Sequence, residues 1–287
     1  MFAKQLYEIL IWSTCVNDCT FCYRRFNPKN VNQKERKQIL NKAIDFIDSE
    51  SFVKGSDVLI SGGEIFDKTL DMKITGLFFK HIVDRMNDNI IGTFYIDSNL
   101  IYDARNMLID LMFLIQKYNL FNRFKFITSY DIEGRFVNNR NKHLMLFNLK
   151  WLKSTFPNLD ITVNTILTKP ACNAILDNSY NIKEFMKEYQ CFVNLVPYII
   201  RVESLTPSQD EVMNAIHKTI SENEGYLNHY KELLNLEQSK LSYAYKDGEY
   251  SLCYDELNDC KHKARFTNYC DKESCFMCDF ERLQTSL

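Results

Sequence analysis

QLYEILIWSTCVNDCTFCY, residues 5 to 23, joins a run rich in Leu, Tyr, Ile and Trp to three cysteines set within eight residues. The run Gln5 to Ser13 has the composition of a strand, and the thiol-bearing loop follows it without a linker. What comes after repeats the arrangement without the thiols. Between Gln33 and Ser49, Leu40, Ala43, Ile44 and Ile47 recur at helical spacing, so the spacing predicts an amphipathic helix. Strand-like runs then appear at 57–61, 93–98, 124–129, 161–167 and 192–199, with helix-like segments near 70–88, 103–118, 140–154 and 181–189. Six strands separated by helices argue for parallel pairing with right-handed crossovers, hence an α/β barrel or an open wound sheet. Six units are too few for the closed eight-stranded barrel, and a partial (β/α)6 barrel open on one side leaves room for a large substrate.

At 287 residues the chain is long enough for one large domain with a small appendage. It is 46% hydrophobic and 25% charged with a formal net charge of -2, and basic and acidic residues are mixed along it, which argues against a phosphate-tracking surface. The short basic stretches at 34–37 and 261–265 read as solvated faces. The start, MFAKQLYEILIWS, resembles neither a leader nor a membrane span, and no later stretch is long and apolar enough for one. The expectation is a cytoplasmic protein, and in a reducing compartment clustered thiols bind metal more readily than they form disulfides. Of the ten cysteines, Cys15, Cys19 and Cys22 lie at one end and Cys253, Cys260, Cys270, Cys275 and Cys278 at the other. Cys172 and Cys191 stand alone and read as small buried hydrophobes. The five histidines fall in no ligand spacing, although His262 lies among the terminal cysteines.

In parallel α/β folds chemistry gathers at the C-terminal ends of the strands. Those ends carry the thiol loop, then Ser61–Glu64 (SGGE), Ser98–Asn99 and Ser129–Asp131, with Asn164 in the fifth strand. Three thiolates on one loop suit three irons of a cubic 4Fe–4S cluster and leave the fourth iron open; alone, CxxxCxxC also fits half a zinc site.

Cys15, Cys19, Phe21 and Cys22, with Gly62-Gly63-Glu64 after the second strand, make residues 5 to 200 resemble the radical S-adenosylmethionine (SAM) superfamily. The resemblance implies a 4Fe–4S cluster on the three cysteines, with SAM chelating the open iron and giving a 5′-deoxyadenosyl radical that abstracts hydrogen from substrate. It implies that the small residues of the GGE motif allow close approach and that acceptors there meet the SAM ammonium. Ile65 stands where the family often has proline. By position, Asn99 and Ser129 are implied at the ribose, Arg135 or Arg140 at the carboxylate and Leu195 to Pro197 at the adenine, although strand-end Ser and Asn also serve turns.

Beyond the barrel, Thr206 reads as an N-cap and Pro207 as the first residue of a helix over 206–225. Residues 241–253 read as a hairpin around Asp247-Gly248. With Cys253 ending the hairpin and Cys275 and Cys278 spaced CxxC, the segment resembles the SPASM and twitch extensions of radical SAM enzymes. That likeness implies an auxiliary 4Fe–4S cluster on Cys253, Cys270, Cys275 and Cys278, with Cys260 spare or joining; four cysteines also suit zinc. The expected division is a barrel over 1–203 and a helix plus cysteine-rich extension over 204–287. The expected activity is radical modification of a peptide or protein side chain, fed by an electron donor such as flavodoxin or ferredoxin. The alternatives are a nucleoside or other small-metabolite substrate, and a metal-binding interaction module without turnover.

Overall fold

The computed structural model describes residues 5–12, 15, 17, 19, 31–66, 72–102, 105–136, 138–197, 203–226, 242–246 and 249–251. Phe21, Cys22 and all five terminal cysteines therefore lie outside the described residues.

The expected alternation is present. Strands β1 (Leu6–Leu10), β2 (Ser56–Ser61), β3 (Ile91–Asp97), β4 (Phe124–Ser129), β5 (Asp160–Leu167) and β6 (Phe192–Pro197) pair in parallel, each with the next. Helices α1 (Gln33–Ile47), α2 (Met72–Asn87), α3 (Asn106–Lys117), α4 (Asn139–Thr155), α5 (Lys169–Leu176) and α6 (Ile182–Tyr189) fill the crossovers. The architecture is an α/β fold in which these six parallel strands lie side by side in one sheet. No helix among the described residues is long and apolar enough to cross a membrane.

Side-chain parity separates the two faces of the sheet. Tyr7, Ile9, Val58, Ile60, Phe94, Ile96, Phe124, Phe126, Ile161, Val163, Val193 and Leu195 are buried in one core with Leu40, Phe46, Phe79, Ile82, Leu108, Leu149 and Ile175 of the helices. Burying one such side chain, Phe126 for example, stabilises the fold by about 1.5–3 kcal/mol. The alternate residues Glu8, Tyr95, Asp97, Lys125, Ser129, Thr162, Asn164 and Asn194 are half-buried on the other face. Register aligns Ser129 with Asn164 and Asn164 with Asn194 across that face.

Three features differ from the sequence expectation. First, α5 was not foreseen. Thr168 caps it by accepting the Ala171 N–H, and Pro170 sits in its first turn. Second, the helix expected over 206–225 is α7 (Gln209–Glu222), capped by Ser208 and not by Thr206. Ser208 accepts the Glu211 N–H at 3.2 Å and Glu211 Oε2 accepts the Ser208 N–H at 2.6 Å, a reciprocal box that starts the helix two residues beyond Thr206, although Thr206 with Gln209 carries the same pattern. Third, the hairpin strands β7 (Ser242–Lys246) and β8 (Glu249–Ser251) join the main sheet. β7 runs parallel to β1, with Glu8 opposite Ala244, and β8 pairs antiparallel to β7, giving the order β6-β5-β4-β3-β2-β1-β7-β8.

Candidate functional site

The loops after β1 and β2 are stitched together by backbone and indole. Ile11 N–H donates to the Ser61 carbonyl at 3.0 Å, Gly63 N–H donates to the Trp12 carbonyl, and Trp12 Nε1 donates to the Glu64 carbonyl at 3.2 Å. Gly62 has φ 137°, a conformation that a Cβ resists, so the turn needs glycine there. Trp12 is buried, which anchors the start of the thiol loop under this turn.

Cys15 is exposed and Cys19 buried. Cys15 Sγ accepts the Asn17 N–H at 3.4 Å and the Asn99 Nδ2–H at 3.1 Å, so the end of β3 reaches the thiol loop. Cys19 Sγ donates to the Arg135 carbonyl at 3.4 Å. The loops after three strands thus converge on the two described thiols.

Glu64 is the hinge of this convergence. Its side chain is turned inward and is 2% exposed. Oε1 accepts the Phe66 N–H at 2.9 Å, Oε2 accepts the Asn99 N–H at 2.7 Å, and the Ser98 hydroxyl donates to the pair at 2.9 and 3.1 Å. Burial pushes this carboxyl up to about 7 against the pull of those three donors, and Asp97 adds to the rise. The carboxylate therefore ties the β2 turn to the end of β3. Beyond it, Asn99 Oδ1 accepts the Ile101 N–H at 2.7 Å, Leu100 takes a left-handed φ of 57°, and buried Asn148 Nδ2 donates to the carbonyls of Leu100 and Tyr102 at 2.8 and 2.9 Å.

A second buried carboxylate follows β4. Asp131 Oδ2 accepts from Arg135 Nε at 2.5 Å and Oδ1 accepts the Ile166 N–H at 2.6 Å, clasping the end of β4 to β5. Burial pushes the Asp131 carboxyl above its usual value, and the guanidinium pulls it back. Ser129 is half-buried at the end of β4, and Asn194 Nδ2 donates to Asn164 Oδ1 at 3.0 Å beside it. Arg140 stands in the first turn of α4. Leu195 packs into the helix-side core, so of Leu195 and Val196 only Val196 belongs to the half-buried face. Cys172 is fully buried and Cys191 half-buried; burial pushes both thiols up to about 12, which suits packing and not ligation.

Ser98 stands at a strand end that the sequence already marked, whereas Asn17 and Asn148 join the site only in the structure. Asp131 and Arg135 pair across a loop, where their spacing carries no local signal, and Asn148 lies mid-helix and carries none either. Among the described residues the donor set suits an anionic metal–sulfur group. N–H donors already point at Cys15, and Asn17 Nδ2, between the two thiols, is buried with no partner among the described residues, a donor that such a group would satisfy.

No protein-family model and no curated protein matches the chain. Solved structures of anSMEcpe, an anaerobic sulfatase-maturating radical SAM enzyme, share its fold. The native enzyme with bound AdoMet superposes with a TM-score of 0.60 at 13% identity, covering 87% of this chain and 74% of that one. A histidine-tagged form with bound AdoMet gives 0.64 at 11% identity, covering 99% and 93%. The native enzyme with bound AdoMet and the Cp18Cys peptide gives 0.60 at 11%, covering 99% and 83%. At these identities the likeness is one of fold.

Proposed function

We propose that the chain is a radical SAM enzyme that modifies a peptide or protein side chain. Cys15, Cys19 and Cys22 would hold a 4Fe–4S cluster, and Phe21, Gly62, Gly63, Glu64, Asn99 and Ser129 would form the rim that receives SAM. The observation that carries the reading is the stitching of the thiol loop, the Gly62-Gly63 turn and Asn99 at neighbouring strand ends, within a fold shared with a radical SAM enzyme. Bound there, the cluster and SAM would supply one-electron reduction and hydrogen-abstraction chemistry. The chain's own contribution is placement. Gly62 opens the backbone, Glu64 holds the turn against β3, and the half-buried polar face carrying Ser129, Asn164 and Asn194 lines the approach.

The peptide substrate class is supported by the complex of anSMEcpe with a peptide. A nucleoside or small metabolite is the alternative. The barrel over 1–203, an auxiliary 4Fe–4S cluster on Cys253, Cys270, Cys275 and Cys278 within 204–287, a flavodoxin- or ferredoxin-like donor and a cytoplasmic setting complete the proposal.

Anaerobically reconstituted protein is expected to carry a cubic cluster and, once reduced, to form 5′-deoxyadenosine from SAM. Replacing Cys15, Cys19 and Cys22 together by Ala should abolish the product while the chain stays folded by circular dichroism. Product formation by that triple variant would overturn the assignment. Metal analysis on the same variant reads the terminal cysteines: about four irons support the auxiliary cluster, and one zinc without iron makes the extension a zinc site.

A further inference from the structure

We infer that Asn99 raises the reduction potential of the cluster through a hydrogen bond from its side-chain amide to the Cys15 sulfur. The inference rests on the reading of Cys15, Cys19 and Cys22 as cluster ligands. Asn99 Nδ2 lies 3.1 Å from Cys15 Sγ, nearer than the Asn17 backbone donor at 3.4 Å. The two ends of an amide are distinguished by their partners. Here Oδ1 accepts the Ile101 N–H at 2.7 Å, and a side-chain N–H in that place would face another N–H, so the donor end must face the sulfur.

The amide is also held in place. The Asn99 backbone N–H is bound by Glu64 Oε2 at 2.7 Å, and Asn148 grips the carbonyls of Leu100 and Tyr102 on the far side of the left-handed Leu100. Because a donor on a ligand sulfur withdraws electron density, it favours the more negative, reduced cluster; hydrogen bonds to sulfur are among the factors that set such potentials. One amide hydrogen satisfies the sulfur, which leaves the second for a cofactor hydroxyl. Asn99 is thus a positioning residue that acts on the cluster through Cys15.

The test is an EPR-monitored redox titration of the reconstituted full chain and two variants. Asn99→Ser keeps an oxygen that can accept the Ile101 N–H in the turn but is too short to reach the sulfur. Its reduction equilibrium should shift about tenfold toward the oxidised form, a midpoint lower by about 59 mV for one electron. Asn99→Thr likewise keeps a turn oxygen that can accept the Ile101 N–H, is too short to reach the sulfur and adds no charge, so its midpoint should fall by a similar amount. A residue that merely shapes the loop would leave both midpoints at the wild-type value, since both variants keep the turn. An unmoved midpoint in either variant at wild-type iron content overturns the inference and leaves the ligand assignment standing; if one variant fails to fold, the other decides. A wild-type chain that takes up no cluster overturns the ligand assignment and the inference with it.

Discussion

Glu64, after β2, and Asp131, after β4, are both buried carboxylates that tie the end of one strand to the next, and they are held by opposite means. Asp131 has a guanidinium against it, from Arg135 four residues on. Glu64 has two backbone N–H groups and a hydroxyl, and no salt bridge among the described residues involves it. A carboxylate that carries its own cation is a self-contained clasp. One held only by neutral donors keeps an undischarged cost of ionisation, visible as a carboxyl pushed up to about 7. The uncompensated one stands beside the Gly62-Gly63 turn, where the proposed function brings the SAM ammonium, so the cation that balances it would come with the cofactor.

The largest expected effect tests the self-contained clasp. Arg135→Met leaves Asp131 buried without its cation and should destabilise the full chain by about 3–5 kcal/mol, read as a lower denaturation midpoint. A midpoint within error of wild type would mean that the guanidinium does not hold Asp131 in solution.

The next concerns the pH dependence of Glu64. Its folded-state value is raised from 4.5 to about 7, so the folded chain binds this proton more tightly than the unfolded one. The stability this contributes is fully present below pH 4.5 and is lost as pH rises through about 7. Wild type should therefore lose roughly 3 kcal/mol relative to Glu64→Gln across that window, in protein free of cofactors. Parallel stability profiles for the two proteins would show that Glu64 does not titrate there and would erase the contrast with Asp131.

The smallest effect is that of Glu64→Gln at the acid end of the window. The amide keeps one acceptor and turns N–H toward the Phe66 or Asn99 N–H, leaving that donor unpaired at a cost of about 1–3 kcal/mol. Hydrogen exchange should locate the change at Phe66 and Asn99. Uniform protection across the chain would show that the bracket is not what holds the two strand ends together.

Much of this was legible without coordinates. Period-two runs and helical spacing predicted all six parallel strands, β4 to the residue, because each apolar face must be buried against another element. The GGE stretch marked a turn after β2, since glycine at φ 137° is a local backbone requirement written at one position. The helix expected at Thr206 begins instead after Ser208, because Thr206 with Gln209 and Ser208 with Glu211 carry the same box pattern two residues apart and local sequence does not choose between them.

What local sequence determines, then, is the order of elements and the chemistry available at each strand end, because periodicity, capping and turn conformation depend on residues a few positions apart. The tertiary structure alone decided that β7 lies beside β1, that the Glu64 carboxylate faces inward to Ser98 and Asn99, and that the Asn99 amide reaches Cys15, 84 residues away. Those choices depend on which buried polar groups find partners once the strands are side by side. The partners come from different loops, so no local pattern records them.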